Sequence, residues 1–311
     1  MSIDAATVIF FDENGEFDAA KTNEVLRARL AESKEAVVPG FYGAMPDGTV
    51  KTFSRGGSDI TGSIVAKAAK ADVYENWTDV SGFLIADPRI IKNPKPIDVI
   101  TYRELRELSY MGATVLHEDA IFPVRAAGIP VNIKNTNCPQ DRGTMIVSET
   151  AEPCEHIITG IAGKKGMSVI NIEKDKMNSE VGFGRNVLRA LEKSNVSFEH
   201  MPSGVDTMSV VIQTDKLAGK ETTILDEIRS RVHPDQLYIE SNLALIAVVG
   251  RGMKSARGTA AILFTALADA RVNIKMIDQG SSELNIIIGV AEEDFEVAMK
   301  AIYNAFIKVK K

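Results

Sequence analysis

The sequence predicts an α/β protein, with a front region of alternating strands and helices followed by two ferredoxin-like βαββαβ units. Three observations lead to this class. Strand-like and helix-like runs alternate through the first 150 residues. Beyond them the apolar pattern repeats at a single offset of 76 residues, with Met177 falling on Met253 and Gly182 on Gly258. The composition, 45% hydrophobic and 25% charged over 311 residues, is that of a globular chain long enough for two or three domains.

In the front region, apolar runs rich in β-branched and aromatic residues predict strands at 5–11, 36–42, 50–53, 73–77 and 131–133. Helical periodicity predicts helices at 18–31, 60–69 and 102–111, the last opened by Thr101 and Glu104 at capping-box spacing. Strands alternating with helices imply a mainly parallel sheet covered on both faces. Two polar, turn-rich stretches, 135–143 and 148–155, lead out of this region.

Within the repeat, 167–173 matches 243–249 as an apolar strand, and Val187, Leu188 and Leu191 match Leu263, Phe264 and Leu267 on an amphipathic helix. Two further strands follow in each copy, around 196–198 and 208–212, and around 272–274 and 284–288. A second helix closes each copy, at 222–232 and 292–307. The run 237–240 supplies a closing strand, and 155–163 reads as one further strand ahead of the first copy. A repeat of this kind sets the architecture before any motif is considered.

Bulk properties exclude several function classes. A net charge of -6 argues against nucleic-acid or anionic-membrane partners, which need a basic face. No apolar run approaches a membrane span, and the first residues show no basic, apolar and small-residue leader pattern. The two cysteines, Cys138 and Cys154, fit a reducing cytoplasm better than a disulfide framework. His117, His156, His200 and His233 are too scattered for a zinc site, so no protein-bound metal is expected.

Two stretches carry candidate chemistry. Between a strand and a helix lies Thr52-Phe53-Ser54-Arg55-Gly56-Gly57-Ser58-Asp59. Its glycines permit close backbone approach to a ligand, the helix start aims free N–H groups into the loop, and Arg55 offers a fork of donors to a carboxylate or phosphate. The alternative is a tight turn with Ser58 or Asp59 as N-cap. Downstream, Asn76-Trp77-Thr78-Asp79 ends a strand and Ala86-Asp87-Pro88-Arg89 follows. Polar groups at the C-terminal ends of strands are where open α/β sheets place ligands. The alternative is that Asp79 and Asp87 cap turns and Arg89 pairs with a neighbour.

Taken in order, GFYG, SRGGSD, WTDVSGF, DPR, ELSYMGATVLH, IPVNIKNT and GT, spanning Gly40 to Thr144, resemble the aspartate kinases. The tandem repeat is similar to that family's paired ACT domains. The resemblance implies three parts: 1–150 as part of an amino-acid-kinase domain, 164–241 as a first ACT domain, and 155–163 with 242–311 as a second. It implies transfer of the ATP γ-phosphoryl to the side-chain carboxylate of L-aspartate, with Mg²⁺, giving 4-phospho-L-aspartate and ADP. That reaction opens lysine, threonine and methionine biosynthesis. By the resemblance, Arg55, Gly56, Gly57 and Ser58 bind the substrate, and Arg55 and Asp59 act in catalysis. Thr78, Asp79, Asp87 and Arg89 bind the nucleotide.

The sequence departs from the family's pattern at three points. It contains no Lys-Phe-Gly-Gly-Thr-Ser-type loop, whose lysine would sit on the phosphates; the expectation is a truncated chain that phosphorylates aspartate weakly or not at all alone. Thr114 stands where many members have a nucleotide-contacting lysine, and Leu84 where some have a tyrosine.

The resemblance also implies that the first repeat binds an inhibitory amino acid, lysine or threonine, through Met177, Gly182, Phe183, Ser197 and Glu199. Helix N–H groups near Gly182 suit an α-carboxylate, and Glu199 suits an ammonium. The alternative makes Met177 and Phe183 ordinary core residues and Glu199 a solvated strand position. Gly250-Arg251-Gly252 invites a dinucleotide reading, but Ser255 replaces the third glycine and the repeat explains the loop more simply. Paired half-sites and sheet edges predict a homodimer. The competing reading of the whole chain is a non-catalytic, amino-acid-binding regulatory subunit.

Overall fold

The computed structural model describes residues 1–54, 56–113, 118–150 and 156–308. The chain divides into two compact units, one of residues 1–85 and 93–153, the other of 86–92 and 154–311.

The first unit holds β1 (Tyr42–Ala44), β2 (Val50–Thr52), β3 (Tyr74–Thr78), β4 (Val99–Thr101), β5 (Val131–Asn135) and β6 (Thr144–Val147). Its helices are α1 (Ala19–Leu30), α2 (Gly57–Ala69), α3 (Tyr102–Tyr110) and α4 (Phe122–Ala127). β1 and β2 form an antiparallel pair, and the other four form a sheet in the order β3-β5-β6-β4. β3 runs parallel to β5 and β4 to β6, while β5 and β6 are antiparallel. The expected mainly parallel sheet is therefore mixed, because β5 and β6 follow one another through a short connection and pair back on themselves.

Two expectations for this unit are corrected. Residues 5–11 form no strand. Asp4 caps a 3₁₀ turn at Ala5–Thr7, and only isolated bridges form at Phe10 and Phe11. The run is apolar because Ile3, Ala5, Val8 and Ile9 fill a core with Leu26, Ile64 and Ala68, and a short buried run has no period that separates strand from turn. Residues 36–42 contribute a lone bridge at Val37, and Phe41 takes φ +70°, so pairing begins only at Tyr42. The short elements β4, β6 and α4 were not anticipated. α3 begins as expected, with both halves of the Thr101–Glu104 capping box formed.

The second unit holds β7 (Gly160–Glu173), β8 (Thr207–Gln213), β9 (Gln236–Val249), β10 (Ile274–Asp278) and β11 (Asn285–Ala291). Its helices are α5 (Phe183–Lys193), α6 (Thr214–Leu217), α7 (Glu221–Val232), α8 (Thr259–Asp269) and α9 (Phe295–Lys308). The five strands order as β10-β11-β9-β7-β8, every pairing antiparallel. The segment expected as a separate strand before the first copy is continuous with that copy's first strand, as β7. The closing strand of the first copy likewise runs on into the first strand of the second, as β9.

One half of each long strand thus serves each repeat. Residues 160–164 of β7 pair with 245–249 of β9, and residues 169–173 pair with 236–240. The register shifts between Lys164 and Met167, with Gly166 at φ +76° on β7 and Asn242 at φ +60° on β9. A bulge of this kind bends two long strands without breaking the ladder. The expected strand at 196–198 is reduced to bridges from His200 and Ser203 to β8.

The first repeat closes over a core that includes Ile170, Val187, Val210, Ile224, Ile228 and Val232, all fully buried. Every residue from Leu243 to Val249 is buried, which marks β9 as the middle of the sheet. Among the described residues no helix is long and apolar enough to cross a membrane.

Candidate functional site

The glycine-rich loop leaves β2 at Thr52 and enters α2 at Gly57, so the helix starts earlier than its periodicity indicates. Gly56 is the N-cap, in left-handed backbone with no side-chain cap bond. Neither Ser58 nor Asp59 caps the helix; both lie in its first turn, where Asp59 faces the positive end of the dipole. Gly57 permits a close approach: a Cβ there would lie 2.8 Å from Phe41 Cβ and 2.9 Å from Phe41 Cα. The Phe41 N–H donates to Thr61 Oγ1 at 3.0 Å, and the Phe53 N–H to the Phe41 carbonyl at 2.9 Å. These bonds tie the Gly40–Gly43 loop to the glycine-rich one. Arg55 lies outside the described residues.

Asp59 is held by two residues of β3. Asn76 donates from Nδ2 to Asp59 Oδ1 at 3.0 Å and to the Tyr74 hydroxyl at 3.0 Å. That hydroxyl donates to the Asp59 carbonyl at 3.3 Å. Burial pushes the Tyr74 phenol above its ordinary value, and the neighbouring Asp59 adds to the shift against the Asn76 bond. Asn76 is itself buried.

The same strand carries the second predicted group at its end. Thr78 donates to Asp79 Oδ1 at 3.2 Å, and the Thr78 carbonyl accepts from the Thr136 N–H at 2.8 Å and hydroxyl at 2.9 Å. Asp79 is exposed. β3 and β5 are parallel here, so their C-terminal ends open side by side.

Around them the structure adds residues that the sequence reading did not assign. Ser81 donates to Asp141 Oδ2 at 2.6 Å, and Asn135 donates to Ser81 Oγ at 2.9 Å. Lys134 donates to the Asp141 carbonyl and lies over the Trp77 ring at 5.6 Å. Thr144 donates to the Ile97 carbonyl at 2.6 Å and accepts the Phe83 N–H at 2.7 Å. The available signal was position: these residues flank the ends of neighbouring strands, but that adjacency needs the strand order.

Asp87 and Arg89 pair with each other. Arg89 Nε lies 3.0 Å from both carboxylate oxygens, and its Nη2 lies 2.6 Å from Oδ2. The Arg89 side chain is otherwise open to solvent, and its bonds hold the Asp87 carboxyl below the usual carboxylate range. Both belong to the 86–92 stretch counted with the second unit. Leu84 is exposed and bridges Pro96, while Thr114 lies outside the described residues.

In the first repeat, Met177 and Phe183 are buried members of the core. Gly182 is the left-handed N-cap of α5, at φ +87°. Ser197 accepts from Lys216 Nζ at 3.1 Å. Glu199 is not solvated; its side chain is 2% exposed and meets Lys164 Nζ at 2.9 Å and Lys216 Nζ at 3.6 Å. Gly250 and Gly252 have a packing role, since a Cβ on either would lie 2.6 Å from backbone atoms of residues 157–158.

The amino acid kinase family model matches residues 2–135, and an ACT domain model matches residues 246–306. Aspartokinase 3 of Bacillus subtilis is 45% identical over 280 residues, covering 89% of this chain. This chain spans 62% of that relative's length. The crystal structure of Clostridium acetobutylicum aspartate kinase is 60% identical with a TM-score of 0.92, covering 98% of this chain and 70% of that one. Two structures of E. coli aspartokinase III each reach a TM-score of 0.75. The complex with aspartate and ADP is 26% identical and covers 99% of this chain and 70% of that one. The complex with lysine and aspartate is 28% identical and covers 98% and 69%.

Proposed function

The chain belongs to the aspartokinase family, and on that premise we propose that its first unit takes part in transfer of the ATP γ-phosphoryl to the side-chain carboxylate of L-aspartate. The observation carrying this reading is that one strand, β3, holds Asp59 through Asn76 and presents Thr78 and Asp79 two and three residues later. A phosphoryl donor and its acceptor must be aligned in line while negative charge spreads over the transferred group. The N-terminus of α2, opened by Gly56 and Gly57, offers backbone donors for that charge. Arg55, beside it in sequence, supplies a fork for the substrate carboxylate, with Gly56, Gly57 and Ser58 lining the approach. Thr78 and Asp79 contact the nucleotide in this reading. The E. coli relative's complex with aspartate and ADP supports aspartate and an adenine nucleotide as the ligands.

Among the described residues no three His, Cys, Asp or Glu side chains gather in a metal-holding cluster. In this reading Mg²⁺ would be carried on the nucleotide phosphates.

The second unit is an amino-acid sensor in this reading. The first turn of α5 receives the α-carboxylate of lysine or threonine, with Ser197 and Glu199 opposite and Met177 and Phe183 supporting the loop from the core. The lysine complex of the E. coli relative supports an amino-acid effector. The protein works in the cytoplasm as a homodimer joined through these domains, and a lone monomer by light scattering at high concentration would contradict that.

The test is calorimetric titration of the 311-residue chain with ADP and with L-aspartate, alongside a coupled kinase assay. Asp59→Asn is expected to lower turnover by about 10²-fold or more, as loss of a preorganised charge at a phosphoryl site does. Binding of neither ADP nor aspartate by the folded chain would remove the kinase reading and leave the sensor.

A further inference from the structure

Glu199 carries a problem that its neighbours solve. A carboxylate with 2% of its side chain exposed must be compensated in place, because burying a lone charge is prohibitive. Both of its oxygens are claimed: Lys164 bonds Oε2 at 2.9 Å, and Lys216 lies 3.6 Å from Oε1. The two lysines are unequal. Lys216 is 41% exposed, sits on the short helix α6 and also donates to Ser197. Lys164 is 20% exposed, makes the shorter contact and comes from β7.

The origin of Lys164 matters. It pairs with Leu245, in the part of β7 that completes the second repeat, and it is the last residue before the bulge. A cation from the stretch of β7 that pairs with the second repeat therefore neutralises the carboxylate that the first repeat would offer to a ligand.

We propose that Lys164 is a built-in competitor for the ammonium group of a cationic amino-acid effector, which must displace it from Glu199 to bind. This rests on the effector reading of the first repeat given above. Displacement releases Lys164 at the bulge where the two repeats share a strand, so occupancy of one repeat is transmitted to the other without any new contact. A ligand with a neutral side chain leaves the Lys164–Glu199 pair in place and meets no such competition. Specificity between cationic and neutral effectors is then set by Lys164 as well as by Glu199.

The experiment is calorimetric titration of the 311-residue chain and its Lys164→Met variant with L-lysine and with L-norleucine, which has the same carbon chain and α-ammonium but no side-chain ammonium. Lys164→Met is expected to tighten lysine binding by roughly tenfold or more, the scale of one charge-assisted hydrogen bond, and to leave norleucine unchanged. Lys164→Arg, which keeps a cation, is expected to show no such gain, and Lys216→Met a smaller one. Unchanged or weaker lysine binding in Lys164→Met overturns the competition while leaving the effector site standing. No binding of either amino acid to any of these proteins overturns both. Should Lys164→Met fail to fold, the Lys164 Nζ resonance of the unaltered protein decides: it is expected to shift on saturation with lysine but not norleucine, and a resonance that lysine leaves unmoved overturns the proposal.

Discussion

Asn76 is a buried amide whose two donors are spent on Asp59 and on the Tyr74 hydroxyl, so one side chain couples a strand to the first turn of α2. Asn76→Leu is expected to cost about 1–3 kcal/mol, because it strands a part-buried hydroxyl and a carboxylate at once. Urea denaturation measures that loss, and a parallel fall in aspartate or ADP affinity would tie it to the site. Gly57→Ala acts through contact alone, since its methyl would press on Phe41; a loss of about 1–3 kcal/mol is expected in the same measurement. Tyr102 gives a pH signature. Burial pushes its phenol up to about 12, while its hydroxyl donates to the Ile129 carbonyl at 2.9 Å. The folded state therefore keeps a proton that the unfolded chain releases near its ordinary value of about 10. The stabilisation is complete below pH 10 and is lost as pH rises from about 10 towards 12. Denaturation midpoints across that range are expected to fall in the parent and to fall less steeply in Tyr102→Phe.

At the scale of elements, α3 shows how local chemistry starts a helix. Thr101 accepts the Glu104 N–H at 3.3 Å, and Glu104 accepts the Thr101 N–H at 2.9 Å, in a buried setting where unpaired groups are costly. Thr101→Ala is expected to lower stability by about 1 kcal/mol, read from the thermal midpoint. α7 depends on packing instead. Its Ile224, Ile228 and Val232 are fully buried under β7 and β8 residues of the same core, and they recur at helical spacing. Ile228→Ala is expected to cost about 2–5 kcal/mol, depending on how far the core collapses into the gap.

At the scale of the whole molecule, the repeats of the second unit are interlaced. The second copy lacks its fourth strand within its own contiguous sequence and takes residues 160–164 from the front of β7. A fragment of residues 242–308 is expected to remain unfolded by circular dichroism, with β9 left as an unpaired apolar edge. Fusing residues 156–165 to it is expected to restore strand signal. Folding of the bare fragment would show that the shared strand is dispensable.

The duplication, the helices α1, α3, α5, α7 and α8, the capping box and the RGGSD and WTDV stretches were all legible in the sequence, because each is written in local spacing. A helix declares its face within a few residues, and an ungapped repeat needs no knowledge of what touches what. Other features depended on partners far along the chain. The run at 5–11 is as apolar as a strand but packs as a turn, because its neighbours fill a core and offer no ladder. β7 and β9 are single strands because a bulge lets each serve both repeats. Glu199 is a paired, buried carboxylate because Lys164, thirty-five positions earlier, lies beside it in the folded chain. Periodicity reveals which residues are to be buried; only the tertiary pairing decides against what, and that choice sets the register, the ion pairs and the geometry of the site.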